Sequence, residues 1–366
     1  MSEKVLIIGG RGRIGSSVAK DLANFTDAKI TITGRDPAAA NNPMPAPGVQ
    51  YLALNLTDHE AVRNAIKGCK VVVHCAGPFQ YRDANVLKTC IDEGVNYVDV
   101  SDSRGFTSRA LELKETAKKA DITAVINTGI FPGISNSMVR QGVEKLDEAE
   151  RIHLSYVVGS SGGAGLTVMR TTFLGLQNPF DVLENGNWKQ VKPYTGRETI
   201  EFPAPYGKTG VYWFDMPEAF TLPDTFPQAK TVITKFGTAP DLYNHLTWFV
   251  ANLWPQSWVK NSAVVEFLSH VSYNMTKVTD TMVGTGVAVR SEVNGIKDGK
   301  PTTFCSTVVH NSAAVATGIG TGAIAELILK GKLQKPGVWP QEQALATDLF
   351  EHLMASRQMP VQEQWL

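Results

Sequence analysis

Three glycines spaced Gly10-x-Gly12-x-x-Gly15 carry the clearest chemistry in this chain. They follow the apolar run at 5–8 and precede a helical pattern at 14–23, so they stand between a strand and a helix N-terminus. Such a turn presents backbone N–H groups to negative charge. Gly10 permits the tight turn, Gly12 lets the backbone approach a pyrophosphate, and Gly15 lets the helix lie close to the strand. Arg11, Arg13 and Ile14 belong to the same turn. A dinucleotide is the expected ligand. Which one depends on the end of the second strand, where the sequence reads Thr33-Gly34-Arg35-Asp36. An NAD site usually places a carboxylate there for the ribose 2′-hydroxyl. Here Gly34 leaves that space open and Arg35 offers a planar cation to a 2′-phosphate, so NADP is expected over NAD. Asp36 is the dissenting residue, since it would suit a ribose.

Further along, Asn55 ends the third strand where the adenine would lie, although a helix cap by Thr57 or Asp58 explains that corner equally well. After the fourth strand, Gly77 and Pro78 would pass beside a cofactor ribose, and the Phe79 ring would wall one side of the nicotinamide. Pro132 and Gly133 complete the cofactor candidates. Reduction of C=O or C=N needs a proton donor beside the hydride carrier. Asp102 is the candidate acid/base or amine-binding group, a helix cap being the alternative. Ser101 and Asn136 are candidate substrate-binding residues; the helix opened by Gly133–Asn136 would hold a carboxylate, unless Ser135 simply caps it. Arg170 is a candidate carboxylate clamp or a surface arginine, and His310 a second catalytic candidate or a structural histidine. Tyr273-x-x-x-Lys277 matches the tyrosine–lysine pair of short-chain reductases but comes after the sheet is complete, and is set aside.

The elements that must position these residues alternate. Six strands and their helices follow one another through residue 127, the pattern of a doubly wound parallel sheet. From Arg151 the strands read as antiparallel, and two of them flank NGIKDGK, a hairpin signal. Residues 313–332 turn helical again. The expected architecture is a Rossmann-type α/β domain at 1–135, an inserted α+β substrate and dimerisation domain at 136–312, and a segment at 313–366 returning to the first domain.

Thirty-five basic and 35 acidic residues cancel, which gives no reason to expect nucleic acid or an anionic membrane as partner. No apolar run is long enough for a membrane span. Cys69, Cys75, Cys90 and Cys305 form no CxxC pair and no metal-ligand grouping, so a cytoplasmic, metal-free protein is expected. The aromatic stretch TWFVANLWPQSW at 247–258 reads as domain core or dimer contact; as a lipid-facing surface it lacks the usual basic face.

The motifs GGRGRIG at 9–15, AGPF at 76–79, YVDVSD at 97–102 and GIFPGISN at 129–136, with GTGAIAELILKGK and KPGVWPQE near the C-terminus, resemble the saccharopine dehydrogenase-like oxidoreductases. The resemblance covers 1–140 and 310–345. It implies a Rossmann domain completed by a C-terminal helix and loop, a second domain carrying much of the substrate pocket, and frequently a homodimer. It also implies hydride transfer at a C–N centre of an amino-acid or imine substrate. Relatives that reduce lipid double bonds keep an apolar substrate open as an alternative, and an NADP-binding redox sensor without turnover is a third reading.

Overall fold

The computed structural model describes residues 2–163 and 165–366. The chain forms two compact units, one of residues up to 134 with 314–345, the other of 135–313 with 346–366. The C-terminal segment is therefore shared between them, which differs from the expectation that 313–366 returns to the first domain as a whole.

The first elements are β1 (Lys4–Ile8), α1 (Arg13–Phe25), β2 (Lys29–Gly34), β3 (Gln50–Ala53), α2 (His59–Ile66) and β4 (Val71–His74). They continue with α3 (Asn85–Asp92), β5 (Asn96–Asp99), α4 (Arg104–Leu111), α5 (Lys114–Lys119) and β6 (Thr123–Ile126). Next come α6 (Ile134–Glu144), β7 (Glu148–Gly159), α7 (Leu166–Leu174), β8 (Phe180–Glu184), β9 (Asn187–Val191), β10 (Glu198–Phe202) and β11 (Gly207–Trp213). They are followed by α8 (Glu218–Thr225), β12 (Thr231–Ala239), α9 (Leu242–Leu253), α10 (Gln256–Val259), α11 (Ser262–Val283), β13 (Val287–Lys297) and β14 (Lys300–His310). The chain closes with α12 (Ala313–Leu329), β15 (Gly337–Pro340), α13 (Gln341–Ala344), α14 (Thr347–Ser356) and β16 (Gln362–Trp365).

The first unit is a Rossmann-type sheet of seven parallel strands in the order β15-β6-β5-β4-β1-β2-β3. Its central strands are apolar on both faces because both are covered: Val5 to Ile8 and Val71 to Val73 are all buried. Helix α1 buries Val18, Ala19 and Leu22, one face at helical spacing. The KPGVWPQE segment, expected as a loop, supplies the seventh strand: β15 pairs with β6, and its Pro340 is tolerated because the strand lies at the sheet edge. Helix α12 is apolar all round and almost wholly buried. Its small residues set the approach. A Cβ at Gly318 would stand 2.4 Å from the Ser17 side chain, and one at Gly322 would stand 2.3 Å from Asp21. Ser17 and Asp21 are one helical turn apart on α1, so the two helices meet along a groove of glycine.

The second unit carries a mixed sheet, β10-β11-β12-β7-β13-β14-β16, with the β8–β9 hairpin attached to β12. The expectation of antiparallel strands needs one correction: β12 and β7 pair in parallel over nine residues, a pairing that local sequence pattern does not encode. The NGIKDGK signal is also sharper than expected. The hairpin turns at Asp298-Gly299, both at positive φ, whereas Asn294-Gly295 lies inside β13 at a shift of register against β7. Gly295 is required there because a Cβ would fall 1.9 Å from the Glu148 carbonyl oxygen. A second hairpin, at Asn185-Gly186 with φ of 52° and 75°, has the same left-handed pair.

Candidate cofactor and catalytic site

Parallel pairing brings the carboxyl ends of all the first-unit strands to one edge, and the order places β1 between β2 and β4, where the direction of winding reverses. That reversal opens the crevice in which such sheets bind ligands. The glycine turn sits over it. Gly9 adopts φ 77°, and a Cβ there would touch the Ala76 backbone at 2.9 Å, so the loops after β1 and β4 meet. Gly10 packs on Ile32 of β2 and Gly15 on the Gly9–Gly10 backbone, each at a separation that no side chain fits. Gly12 differs. It is exposed, it caps α1, and a Cβ on it would meet the Gly9 carbonyl oxygen alone, at 3.2 Å. Helix α1 has no side-chain cap and no acidic residue in its first turn. Its N-terminal amides are thus arranged for an outside anion, and the turn fits a dinucleotide pyrophosphate.

At the end of β2, Thr33 anchors the turn by accepting from the Gly9 N–H and, through its carbonyl, from the Arg11 N–H. Asp36, the residue that argued for NAD, accepts a hydrogen bond from Ala38 N–H at 2.9 Å and caps a short 3₁₀ turn at 37–41. That contact engages Oδ1 of an exposed carboxylate. Arg35 is exposed. Arg11 donates to the Pro43 carbonyl and lies 5.9 Å over the Tyr51 ring. Arg13 is exposed beside the turn and Ile14 half-buried behind it. Asn55 accepts from Thr57 N–H in a local turn, and Asp58, not Thr57, caps α2.

Sequence reasoning passed over Arg82. Its Nε donates to the Ala76 carbonyl oxygen at 2.8 Å, on the loop after β4, and its own carbonyl accepts from Arg109. Burial and then the charge of Arg35 press its pKa down. The only sequence signal was a lone basic residue three positions beyond Phe79.

Phe79 requires a correction. Its ring is 3% exposed and stacks in the core, 5.0 Å from His74 and 4.9 Å from Phe106, so it does not wall a nicotinamide. Tyr81, 59% exposed, is the open ring of that loop. Gly77-Pro78 and Phe131-Pro132 are both cis peptide bonds. Gly133 has φ 129°, and the loop folds back so tightly that a Cβ would fall 2.2 Å from the Gly129 carbonyl oxygen.

Below the loops lies a buried polar cluster. Asp99, fully buried, accepts from the Ser101 and Asn127 amides through Oδ1, and His74 Nδ1 is 3.1 Å from the Tyr97 hydroxyl. Burial pushes Asp99 up to about 6 and His74 down to about 3. Ser101 belongs to this scaffold: it is buried, its Oγ accepts from Ser103 N–H, and its carbonyl accepts from Asn127. It holds the loop instead of facing a substrate. Asp102, on the same loop, is half-buried, and burial raises its pKa to about 6. The α4 cap is Ser103, which leaves the Asp102 carboxyl free of that duty.

In the second unit, Asn136 is buried beside Ser135, whose hydroxyl donates to Glu218. Arg170 makes a bidentate pair with Glu266 of α11, through Nε and Nη2, so the expected carboxylate clamp is already occupied by a carboxylate of this chain. His310 ends β14, and its Nδ1 is engaged by Ser312 in a local turn. Among the described residues no group of histidine, cysteine or acidic side chains could hold a metal, and no helix is long and apolar enough to cross a membrane.

Residues 5–125 match the family described as the saccharopine dehydrogenase NADP binding domain. A probable mitochondrial saccharopine dehydrogenase-like oxidoreductase of Arabidopsis thaliana is 26% identical over 29% of this chain, a match spanning only 26% of that protein. The carboxyaminopropylagmatine dehydrogenase of Synechocystis is 22% identical over 93% of this chain and 92% of its own. In fold, the apo saccharopine dehydrogenase (L-Glu forming) of Saccharomyces cerevisiae superposes over 100% of both chains with a TM-score of 0.73 at 16% identity. The first unit is thus similar to the saccharopine dehydrogenase NADP binding domain over residues 5–125, and the chain shares the fold of saccharopine dehydrogenase.

Proposed function

We propose that the protein is an NADP-dependent dehydrogenase acting at a C–N bond of an amino-acid or polyamine-like substrate. The observation that carries the cofactor preference is the end of β2. The Asp36 carboxylate, the candidate for a ribose 2′-hydroxyl, is turned to the backbone through Oδ1 as a cap, while Arg35 stands exposed. Bidentate arginine contacts suit a 2′-phosphate and give nothing comparable to a hydroxyl. Gly10 and Gly12 would hold the pyrophosphate through backbone amides at the α1 N-terminus. The bound cofactor supplies or accepts a hydride at the substrate carbon.

This chain supplies the proton. Asp102, at the carboxyl edge and with its pKa raised to about 6, can hold or release a proton near neutral pH at the substrate nitrogen. The substrate class follows that of the Synechocystis relative, a carboxyaminopropylagmatine dehydrogenase. The test is NADPH oxidation in mixtures of a primary amine (an amino acid or diamine) with an oxo acid or aldehyde. The expected result is oxidation only when both are present. Oxidation with a ketone or enoyl compound alone, and with no amine–carbonyl pair, would overturn the reading.

A further inference from the structure

The loop that carries Asp102 is held from below by two buried side chains. Asp99 ends β5 and Asn127 follows β6. One oxygen of the Asp99 carboxyl, Oδ1, accepts the Ser101 N–H at 2.9 Å and the Asn127 N–H at 3.0 Å. The Asp99 carbonyl accepts from the Thr128 N–H and hydroxyl, so the two strands are joined where they end. Asn127 closes the ring: its Nδ2 donates to the Ser101 carbonyl and to the Thr107 hydroxyl of α4, each at 2.8 Å. It does so at φ 61°, a left-handed conformation that asparagine tolerates. Beyond Asp102, the Ser103 N–H donates to Ser101 Oγ, and the Ser103 hydroxyl caps α4. The peptide before Asp102 is thus fixed through the Ser101 carbonyl, and the peptide after it through the Ser103 N–H. Loop peptides ordinarily bond to water. These bond to buried side chains, while Asp102 itself stays half-buried.

We infer that Asp99 and Asn127 are positioning residues, which act through the 101–103 peptides to fix where the Asp102 carboxyl stands. This rests on the assignment of Asp102 as the proton carrier. The two residues do opposite work. Asp99 is needed as an acceptor, and an amide oxygen in its place would accept the same two N–H bonds. Asn127 is needed as a donor, and a carboxylate there would set oxygen against the Ser101 carbonyl. The titratable side chains around Asp99 are Tyr97 of β5, His74 and Cys75 at the end of β4, and Asp102 itself; the charge of Arg82 reaches His74.

The test reads Asp102 directly, by carbon-13 NMR titration of the full chain labelled at its aspartate carboxyls, the signal being assigned by its loss in Asp102→Asn. In the wild type it should titrate at about 6. Released into water it should titrate near the ordinary value of about 4. Asp99→Ala should release it, and so should Asn127→Gly, which suits φ 61° and deletes both Nδ2 bonds; Asp99→Asn should keep it raised. Turnover of the amine–carbonyl pair with NADPH should follow. Asp99→Ala and Asn127→Gly should each lose about a hundredfold in kcat, the effect of misplacing a reacting group by about an ångström, with NADPH affinity within about threefold and recovery in Asp99→Asn. Asn127→Gly added to Asp102→Asn should slow it no further, because the first residue acts only through the second. The inference is overturned if Asp102 keeps its wild-type titration in folded Asn127→Gly, if Asp99→Asn loses as much as Asp99→Ala, or if the losses in the double variant add. Full turnover in Asp102→Asn, with the NMR response intact, would remove the acid/base assignment and leave the positioning of the carboxyl in place.

Discussion

Replacing Gly12 and Gly15 in turn by alanine separates what the glycine turn does for a ligand from what it does for the fold. At Gly15 the new methyl would stand 2.6 Å from both the Gly10 Cα and the Gly9 carbonyl oxygen. Both are backbone atoms, so α1 or the turn must move by most of an ångström. Overpacking of that size costs about 1–3 kcal/mol, offset by about 1 kcal/mol of helix propensity. At Gly12 the methyl meets one oxygen at 3.2 Å and otherwise projects into the open mouth of the turn. Exchanging glycine for alanine at an N-cap should cost under about 1 kcal/mol. Losing one charge-assisted hydrogen bond to the pyrophosphate should cost about 1.5–3 kcal/mol, a weakening of about 10- to 150-fold. Thermal unfolding without ligand and fluorescence titration with NADPH read the two quantities. Gly15→Ala should lower the melting temperature, whereas Gly12→Ala should nearly preserve it and lose NADPH. Wild-type affinity in Gly12→Ala would refute the placement of the ligand on this turn.

Arg35→Ala should weaken NADPH by about 10–100-fold while NADH changes less than about threefold, and Arg82→Ala should do the same more mildly; an equal loss of both cofactors would refute the 2′-phosphate assignment. Stability should respond to acid in a way that names the buried cluster. Asp99 and Asp102 have folded pKa values raised to about 6, so the fold loses stability as pH rises from about 4 to 6, whereas His74, lowered to about 3, makes it lose stability as pH falls below about 6.5. In Asp99→Asn the loss on raising the pH should shrink by up to about 3 kcal/mol, seen in urea melts at pH 4 and pH 6; an unchanged difference between the two would show that Asp99 is not held protonated. Arg170→Ala should leave the substrate KM unchanged, because its guanidinium already serves Glu266; a large rise in KM would restore the clamp.

Much of the first unit was legible because its signals are local. Glycine spacing, continuous apolar strands and helical periodicity each report on neighbouring residues, and they located six strands and the phosphate turn to within a few residues. The failures share a cause. Phe79 was read as a cofactor wall because it follows Gly77-Pro78, yet its ring direction is set by His74 and Phe106, which lie on other elements. Arg170 looked available because Glu266, its partner, is far away in sequence.

By itself the sequence determined a parallel sheet with a glycine turn of dinucleotide-binding spacing, and it left Asp36 open as a ribose partner beside Gly34-Arg35. Tertiary structure alone decided that Asp36 caps the turn at 37–41, that Arg82 bonds to the loop after β4, that β12 runs parallel to β7, and that the apolar stripes of α9 and α11 face outward. Periodicity shows that a helix has an apolar face. Which surface that face meets depends on how distant segments close around it, and that closure is a property of the whole chain.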